Sequence, residues 1–598
     1  MEQFLINDHP SAKECLAELS DSTTVITNVD KQNRLIRTTS YEFEIDKKYS
    51  DIFESFFSQK SLKYDPIIFG KDQTENIVSV SVEDTKVFIY KEYNGVISCE
   101  VRKSNPWIIY PVKPPGQSIK LSGNQFYTYL KEYPNDEVFN KSKGYCYGRK
   151  MDFYTISDPV EAFMVKNGTT FFKGMKFEQV SKLAFDIETT GLHPNAKDAQ
   201  TLLISNYYIN SSGKKELKLF SLDEFSDEST MIIEWSNWVR LLDPSIILGH
   251  NIYMFDLPYL NRRLEILVGH GLNLGRDKSA VKFASRPSKK RKDGSQEYEY
   301  HKVRIHGREV IDTWFLAINY DNVRKQYSSL GLKQIIQWEY ENALSLGDKA
   351  TAIQSELIQD QKNRTFVDAA MIKHEWKDLE KREKIKLYCI DDAKESMYLL
   401  HLMAPPYFYL SQSVPKSFQS MTETATGSQI NSVMCRNYLQ EMHSLPKATE
   451  SEKFEGAISF GLPGLYKNCL KIDFSSLYPS IMRQYCVCDE KKDPKKYFPK
   501  MVEYFTIERL KNKKLAKETG EQYYLDTSES QKIYINSCYG FLGSSGLLFN
   551  SPKNAAFITE KGRELLNVIT KHFTNKTVFE WQNQLKKDGD TDETAMDE

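Results

Sequence analysis

Short runs of alternating apolar and polar residues dominate the first part of the chain. Residues 77–82 (IVSVSV) and 86–90 (KVFIY) alternate with a period of two, which predicts half-buried β-strands. Polar turns separate these runs, and no constellation of chemically active residues accompanies them. We therefore predict a β-rich N-terminal domain that extends to residue 178.

A strongly apolar run, KLAFDIE at residues 182–188, predicts a buried strand and opens a region of β/α character that reaches to about residue 405. Within it, residues 354–400 have helical periodicity and many opposite charges four residues apart. Farther on, residues 501–542 predict two helices joined by a polar turn around Gly520. A chain of 598 residues is too long for one core, so the fold class we predict is α/β multidomain.

Composition narrows the class of protein less than the pattern does. With 80 basic and 81 acidic residues the chain is not basic overall. This balance does not exclude a nucleic-acid enzyme, because such enzymes combine a basic channel with acidic metal sites. No apolar run approaches the roughly 18 residues of a membrane span. Nine scattered cysteines without a CxxC pair argue against a zinc ribbon and indicate a reducing, cytoplasmic compartment.

Three separated segments carry acids in positions typical of chemistry. Asp186 and Glu188 lie two residues apart on a predicted strand and so point to one face, where a cation such as Mg²⁺ would compensate them. Asp256 follows in the segment LGHNIYMFDLP, and Asp392 shares a helix face with Tyr388, four residues before it. Four carboxylates and a phenol could hold two metal ions and position a water for attack on a phosphodiester.

Together and in this order, FDIETTG, GHNIYMFDLPYL and Y-x₃-D resemble the three exonuclease motifs of family B DNA polymerases. The resemblance implies that four acids bind metal, that Tyr388 orients the attacking water, and that Asn251 lies close to the DNA strand. The four acids are Asp186, Glu188, Asp256 and Asp392. Asp391 is an alternative to Asp392, but only Asp392 has the Tyr-x₃-Asp spacing. We assign His250, in the second motif, a structural role.

A second group of motifs follows. The segment LKIDFSSLYPSI resembles polymerase motif A of the same family, D-x₂-SLYPS. The resemblance implies that Asp473 binds both catalytic metals. Tyr478 would form the floor under the incoming sugar, where its ring leaves no room for a 2′-hydroxyl group and so selects deoxynucleotides.

The segment QKIYINSCYG resembles motif B, K-x₃-N-S-x-Y-G. Lys532, Asn536 and Tyr539 would share one helix face. The resemblance implies that Lys532 contacts the triphosphate and that Asn536 and Tyr539 lie near the nascent base pair. Arg509 and Lys513, on the preceding helix, match the R-x₃-K pair that grips the β- and γ-phosphates.

Two further segments complete the resemblance. The stretch from Phe454 to Ala457 resembles the Y-x-G-G/A sequence between exonuclease and polymerase modules, with Phe in place of Tyr, and implies a DNA contact at Gly456. The third polymerase motif of the family is Y-G-D-T-D-S between apolar strands, and this chain has Gly-Asp-Thr-Asp ending at Asp592. Either Asp590 and Asp592 are metal ligands of a motif C remnant, or they belong to an acidic tail.

Because no hairpin strand or thumb follows Asp592, we expect a split enzyme. A second polypeptide would supply the rest of the palm and the thumb. The predicted domains are a β-rich domain (1–178), a ribonuclease H-like exonuclease (179–405), palm with motif A (406–490), short helical fingers (491–545) and truncated palm (546–598).

The resemblance implies template-directed DNA synthesis with 3′→5′ proofreading, with two Mg²⁺ or Mn²⁺ ions per active site. Primer-template DNA and dNTPs would be the ligands, a sliding clamp a further partner, and a bacteriophage in its host cytoplasm the source. A stand-alone exonuclease with a vestigial polymerase module and a non-catalytic docking fragment are the alternatives. The basic run at residues 289–292 predicts a solvated or DNA-touching hairpin, and a nuclear-localisation signal is its alternative.

Overall fold

The computed structural model of the chain describes residues 62–292, 296–450, 454–458, 474, 476–580 and 583, and three short strands nearer the N-terminus. The chain forms two compact units. The larger unit comprises residues 63–446 and 508–533, and the smaller comprises 1–62, 447–507 and 534–598. Helices and strands occur in both units, so the predicted α/β class is confirmed. The predicted domain boundaries remain predictions.

A mixed sheet of five strands forms the centre of the larger unit. Its order is Lys215–Ser221, Thr201–Ile209, Lys182–Thr189, Ile246–Gly249 and Glu309–Asp312. The first three strands are antiparallel, and the last two run parallel to Lys182–Thr189. The predicted strand at 182–188 is therefore the middle strand of the sheet, which explains why its apolar residues are buried on both faces.

Helices cover this sheet because its strands present apolar residues to them. Leu183 and Phe185 are fully buried, and the Phe185 ring lies 5.1 Å from that of Trp235, on the helix Glu228–Leu242. The long helix Leu379–Met403 packs against the two strands Lys182–Thr189 and Thr201–Ile209. The centre of the sheet is thereby excluded from water. This burial raises the free-energy cost of placing a charge on the middle strand.

The N-terminal part of the larger unit is β-rich, as the period-two pattern predicts. Ile77–Glu83, Lys86–Tyr93 and Val96–Lys103 form an antiparallel meander. A second small sheet has the order Trp107–Tyr110, Tyr129–Glu132 and Ile119–Lys120. The three strands nearest the N-terminus pair in the order Phe4–Leu5, Leu35–Thr39 and Val25–Val29, and they belong to the smaller unit.

Thirteen α-helices lie wholly within the described residues of the larger unit. The larger unit contains Pro66–Phe69, Asp136–Gly148, Pro159–Asn167, Glu228–Leu242, Asp256–Val268, Thr313–Arg324, Leu332–Leu346, Ala352–Gln361, Ile372–Glu375, Leu379–Met403, Pro405–Ser411, Phe418–Glu423 and Thr426–Leu439. The helical pattern predicted over 354–400 is interrupted after Gln361. A new helix begins at Leu379, because the Asp378 side chain accepts hydrogen bonds from the backbone of Glu380 and Lys381.

The two helices predicted around Gly520 are present as Tyr497–Thr519 and Gln522–Gly543, and Gly520 has a φ of 71° that suits glycine at the turn. The smaller unit also contains Leu477–Gln484, which packs against Pro552–Thr574.

The basic run forms part of a β-hairpin, whose strands are Ser288–Lys292 and Gln296–Tyr300. The Lys289 side chain forms ion pairs with Glu297 and Glu299. Lys290 is buried, donates hydrogen bonds to the carbonyl oxygens of Thr422 and Glu423, and burial lowers its pKa to about 8. The prediction of a solvated run is therefore wrong for Lys290.

Two short hairpin strands, Lys282–Phe283 and Val303–Arg304, flank this hairpin. Within the described ranges of the chain, no helix is both long and apolar enough to cross a membrane.

Candidate active site

The two acids of the middle strand lie together, as their spacing predicts. Asp186 and Glu188 alternate with the buried Ile187 on the strand Lys182–Thr189. One oxygen of each carboxylate and the Sγ atom of Cys389 lie within 4.8 Å of one another. Cys389 comes from the helix Leu379–Met403, which crosses this part of the sheet. Strand and helix thus bring the first and third motifs into one place.

Asp256 joins this group from the second motif. It is the first residue of the helix Asp256–Val268, and its carboxylate accepts a hydrogen bond from the backbone N–H of Ile187 at 3.2 Å. That N–H belongs to the residue between Asp186 and Glu188, so the bond fixes Asp256 beside the strand. The structure therefore brings together three of the four predicted acidic ligands.

Burial makes ionisation of these acids unfavourable. It raises the pKa of Asp186 to about 6 and, together with the negative charge of Asp186, raises the pKa of Glu188 to about 8. Burial and the same neighbour hold the pKa of Asp256 well above its ordinary value. Asp256 is buried and Asp186 and Glu188 are partly buried, so a divalent cation would stabilise these mutually repelling acids. The donor set of carboxylate oxygens fits Mg²⁺ or Mn²⁺.

Tyr388 lies at the edge of the same cluster. Its ring is almost fully buried, and burial and the charges of Glu188 and Asp186 raise the pKa of its phenol above the ordinary value of 10. The phenol therefore keeps its proton at neutral pH and can donate a hydrogen bond. The next residue, Cys389, places its thiol 3.8 Å from Asp186 Oδ2, a neighbour that sequence reasoning missed.

Asp392, the fourth predicted ligand, is paired with cations. Lys333 Nζ and Arg364 Nη2 both donate hydrogen bonds to its Oδ1 atom. The same two cations contact Glu395, at 3.3 Å from Lys333 and at 2.6 Å from Arg364 Nε. The structure therefore places Asp392 in a buried network of two acids and two cations, and the coordination of metal by Asp392 remains a prediction.

The choice between Asp391 and Asp392 has a structural basis. Asp391 accepts a hydrogen bond from the backbone N–H of Thr365 at 3.1 Å and lies 3.3 Å from Arg364 Nη1. It thus fastens the segment after the helix Ala352–Gln361 to the long helix. Asp392 is more deeply buried and shares Arg364 with Asp391. These contacts favour a structural role for Asp391.

A further acid, Asp312, organises the second motif and was missed from the sequence. Its Oδ1 accepts hydrogen bonds from the N–H groups of Asn251 and Trp314, and its Oδ2 from that of Tyr253. Asp312 ends a buried strand and caps the following helix, Thr313–Arg324. An acid at the end of an apolar strand before a helix is the signal that could have identified it.

His250 and Asn251 differ in what they contact. The ring nitrogens of His250 lie 3.0 Å from Thr313 Oγ1 and 2.9 Å from the carbonyl oxygen of Leu330, and burial lowers its pKa to about 4. These contacts agree with a structural role. Asn251 has a φ of 71°, and its buried Oδ1 atom has no hydrogen-bond partner among the described residues. The DNA contact of Asn251 remains a prediction that this orphan acceptor favours.

The structure describes some of the residues that were predicted for a polymerase site. Asp473, Asp590 and Asp592 lie outside the described residues. In the smaller unit, the rings of Tyr478 and Tyr539 lie 4.7 Å apart with an interplanar angle of 52°. A Cβ atom on Gly562 would stand 3.3 Å from the Tyr478 ring, so the glycine of the helix Pro552–Thr574 leaves space for it.

The remaining nucleotide-binding candidates are polar groups on helices. In the smaller unit, Asn536 is exposed on the helix that also carries Tyr539. In the larger unit, Lys532 lies 3.3 Å from Glu529. Asn512 donates a hydrogen bond to Gln531 and so links the helices Tyr497–Thr519 and Gln522–Gly543. The positions of Arg509 and Lys513 four residues apart on the helix Tyr497–Thr519 agree with the predicted pair.

The backbone of Gly456 is held by the side chain of Arg563. Arg563 Nη1 donates hydrogen bonds to the carbonyl oxygens of Gly456 and Glu455, at 2.7 and 2.9 Å. A Cβ atom on Gly456 would meet nothing within 4 Å, so this exposed position is open to a ligand. Its predicted contact with DNA stays a prediction.

Two regions of the chain match one known family. Residues 164–328 match the exonuclease domain of DNA polymerase family B, and residues 489–596 match DNA polymerase family B. The first match contains Asp186, Glu188 and Asp256, and the second contains the motif B helix. These matches agree with the arrangement of the three acids.

Proteins with related sequences are DNA polymerases or their catalytic subunits by name. The chain is 25% identical over 487 residues to a DNA polymerase of Pyrococcus glycovorans, a match that covers 75% of the chain and 58% of that protein. It is 27% identical over 447 residues to the DNA polymerase delta catalytic subunit of Dictyostelium discoideum, covering 65% of the chain and 38% of that protein. The chain thus spans less than two thirds of these relatives.

A solved structure has the same fold. The family B DNA polymerase of the archaeon Pyrobaculum calidifontis superposes with a TM-score of 0.60 at 18% sequence identity. The match covers 83% of this chain and 71% of that one. At this identity the likeness concerns the fold alone.

Proposed function

We propose that this chain, which matches the exonuclease domain of DNA polymerase family B over residues 164–328, removes nucleotides from the 3′ end of DNA with divalent cations. The observation that carries the proposal is the cluster of Asp186, Glu188 and Asp256, in which Asp256 is buried and the two strand acids are partly buried. Holding three acids side by side with little access to water is costly, and cation binding would offset that cost. Proofreading beside a polymerase module is the role that such an activity would have.

Bound divalent cations would supply Lewis-acid stabilisation of the attacking and leaving oxygens of the phosphodiester. Asp186, Glu188 and Asp256 would hold them, with Asp392 as a further ligand. Two ions per site is the number that the four predicted carboxylates favour.

The remaining groups of the site would orient the reactants. Tyr388 keeps its proton, so its phenol would donate a hydrogen bond to the attacking water or to a phosphate oxygen. Lys333 and Arg364 would hold Asp392 ionised and in one orientation. The free acceptor of Asn251 would receive a hydrogen bond from the DNA strand.

Template-directed DNA synthesis is the second function, and the contact of Tyr478 with Tyr539 favours it. An aromatic pair at this place would make a rigid floor under an incoming dNTP. Asp473 would bind the metals of this reaction, and Lys532, Arg509 and Lys513 would bind the triphosphate. Primer-template DNA would be the substrate. We keep Asp590 and Asp592 as candidate ligands on sequence grounds.

Several predicted partners rest on the sequence interpretation alone. A second polypeptide with the remaining palm and thumb, a sliding clamp, a bacteriophage source and a cytoplasmic location stay predictions. A stand-alone exonuclease is the alternative that primer-extension assays would distinguish, because it would degrade DNA without ever extending a primer.

The direct test uses single-stranded DNA labelled at either end. With Mg²⁺ or Mn²⁺, the chain should release the label from 3′-labelled DNA first and shorten 5′-labelled DNA one nucleotide at a time. Asp186→Ala combined with Glu188→Ala should abolish both signals. Undiminished digestion by the double variant would show that this cluster is not the active site.

A further inference from the structure

A second group of metal-binding side chains lies away from the acid cluster, where the β-rich part of the larger unit meets the exonuclease region. Glu83 ends the strand Ile77–Glu83. Asp277 and His306 come from two loops that precede and follow the basic hairpin. One ligand atom from each of the three residues lies within 4.8 Å of the other two.

The spacing of these atoms suits a small tetrahedral ion. His306 Nδ1 lies 3.3 Å from Glu83 Oε1 and 3.7 Å from Asp277 Oδ2. Two ligands bound tetrahedrally to Zn²⁺ at about 2.0–2.1 Å stand about 3.3–3.4 Å apart. The first distance is already that of a coordinated pair, and the second exceeds it by a few tenths of an ångström. A side-chain rotation of Asp277, which is one-third exposed, can close that gap.

The imidazole of His306 is held in one orientation. Its side chain is 4% exposed, and the rings of Phe88 and Tyr90 pack against it edge-on at 4.9 and 5.8 Å. Its Nε2 atom lies 3.0 Å from the hydroxyl oxygen of Tyr90. When Nε2 donates to that oxygen, Nδ1 is left unprotonated with its lone pair toward the two carboxylates. Metal-bound histidines are fixed in this way through their remote nitrogen.

The carboxylate of Asp277 is oriented as well. Its Oδ1 accepts the backbone N–H of Ser279 at 2.9 Å, which leaves Oδ2 facing His306. Burial of the two carboxylates is incomplete, with 39% of the Glu83 side chain and 34% of the Asp277 side chain exposed. An ion can therefore reach the three ligands from solvent, and a water can complete its coordination.

The charged neighbours of the group leave room for a cation. Lys282 lies 3.4 Å from Glu83 Oε1, but its side chain is 66% exposed and can turn into solvent. Arg276 is committed elsewhere, because it donates hydrogen bonds to Asp243 at 2.8 Å and to the carbonyl oxygen of Gly307. Two acids and one neutral imidazole would then face the ion.

From this arrangement we propose that Glu83, Asp277 and His306 form a binding site for a divalent transition-metal ion of the Zn²⁺ class. An imidazole with two carboxylates favours such an ion over Mg²⁺, which takes oxygen ligands. The ion joins the strand Ile77–Glu83 to the loops at Asp277 and His306. Its role is structural, because it fastens the β-rich sheet to the exonuclease region and lies apart from the cluster of Asp186 and Glu188.

The test uses the full-length chain with Asp186→Ala and Glu188→Ala, which removes the acid cluster as a competing site. Equilibrium dialysis should give one tightly bound Zn²⁺ per chain. Co²⁺ at the same site should show the intense visible absorption of a tetrahedral complex. Zn²⁺ should also raise the Tm, because an ion that binds only the folded chain stabilises it.

In the same background, His306→Gln should weaken Zn²⁺ binding at least ten-fold and abolish the Co²⁺ band. Asp277→Asn, at a partly exposed position where misfolding is not expected, should have a similar effect. His443→Gln is the matched control, since His443 and His306 are both buried, and it should leave binding intact.

Equal Zn²⁺ affinity in the background chain, His306→Gln and Asp277→Asn would overturn the proposal. So would the absence of tight binding, which would show that His306, Glu83 and Asp277 contact one another without holding an ion. Because these measurements read metal uptake and not DNA cleavage, their failure would leave the exonuclease proposal standing.

Discussion

The proposed exonuclease site and the described part of the proposed polymerase site are built on opposite principles. In the first, short acidic side chains project from a central strand and from two helix segments packed on it, and burial raises the pKa values of Asp186 and Glu188. In the second, an aromatic pair, Tyr478 and Tyr539, is accompanied by long or exposed polar side chains on helices. The first site is a compact cluster of acids, and the second consists of rings and polar groups that are partly exposed.

The difference shows how each site would use its ligand. A largely buried cluster of acids would need cations to act, so its chemistry would depend almost entirely on the charge of a few atoms. A pair of aromatic rings selects a ligand by its shape. The binding free energy is then divided among several contacts, so that no single contact dominates. Substitutions should therefore have large effects in the first site and smaller, more specific effects in the second.

The largest effect is expected for Asp186→Asn combined with Glu188→Gln. Loss of metal ligands should lower the rate of 3′ nucleotide release by about 10³-fold or more. The Tm measured in EDTA should stay equal or rise, because the neutral amides remove charges that burial disfavours. Single-turnover digestion and thermal unfolding measure the two quantities.

Glu216→Gln is the control for this pair, since Glu216 is exposed on the outer strand Lys215–Ser221. It should change neither rate nor Tm. A double amide variant that lost activity only because its Tm fell sharply would contradict the assignment of the two acids as ligands.

A smaller effect is expected at the cations beside Asp392. Arg364→Gln removes the hydrogen bonds to Asp392 and Glu395, and should lower exonuclease activity and apparent Mn²⁺ affinity by about 10–100-fold. A titration of activity with Mn²⁺ separates this from a general loss of rate. If Arg364→Gln lowered the rate at every Mn²⁺ concentration without shifting the midpoint, Arg364 would not be a positioning residue for a metal ligand.

Lys394→Gln provides a comparison on the same helix. Lys394 lies 3.9 Å from Asp360, and among the described residues it forms no ion pair with Asp392. The Lys394→Gln variant should leave the midpoint of the Mn²⁺ titration unchanged.

These cations also show where sequence reasoning stops. Asp186 and Glu188 were predictable because two residues on one strand face the same way, and Asp392 because Tyr388 precedes it by one helical turn. Lys333 and Arg364 reach Asp392 from 59 and 28 residues away in the chain. No local pattern marks either cation, since their positions depend on how the helices pack against the sheet.

For the second site, Tyr478→Val should change specificity more than rate. Removing the ring opens space beneath the sugar, so discrimination against ribonucleotides in primer extension should fall about ten-fold. Incorporation of dNTPs should persist in part, and exonuclease activity should be unchanged. Ribonucleotide use that remained at the wild-type level would show that Tyr478 does not form the floor of the nucleotide site.

The smallest effect concerns the packing of that ring. Gly562→Ala would place a Cβ atom 3.3 Å from Tyr478, so the usual gain of about 1 kcal/mol for alanine in a helix should be cancelled. Gly540→Ala, where an added Cβ meets nothing within 4 Å, should show the gain. Denaturant unfolding measures both, and an equal gain at the two positions would mean that the Tyr478 ring is loosely held.

The fold was predictable at the level of strands and helices, and less so where burial overrides composition. The period-two runs correctly predicted the strands Ile77–Glu83 and Lys86–Tyr93. A run of four basic residues predicts a solvated segment, yet Lys290 is buried against two carbonyl oxygens. Carbonyl groups at the end of the helix Phe418–Glu423 compensate its charge, and their location depends on tertiary structure.

The measurement that tests the central claim most directly is the release of a mispaired 3′ nucleotide from a primer-template in rapid-quench experiments. The wild-type chain with Mg²⁺ should remove a mispaired terminus faster than a paired one, and EDTA should stop the reaction. The chain with Asp186→Ala and Glu188→Ala should release neither. Removal of the mispaired nucleotide by that double variant at the wild-type rate would contradict the account.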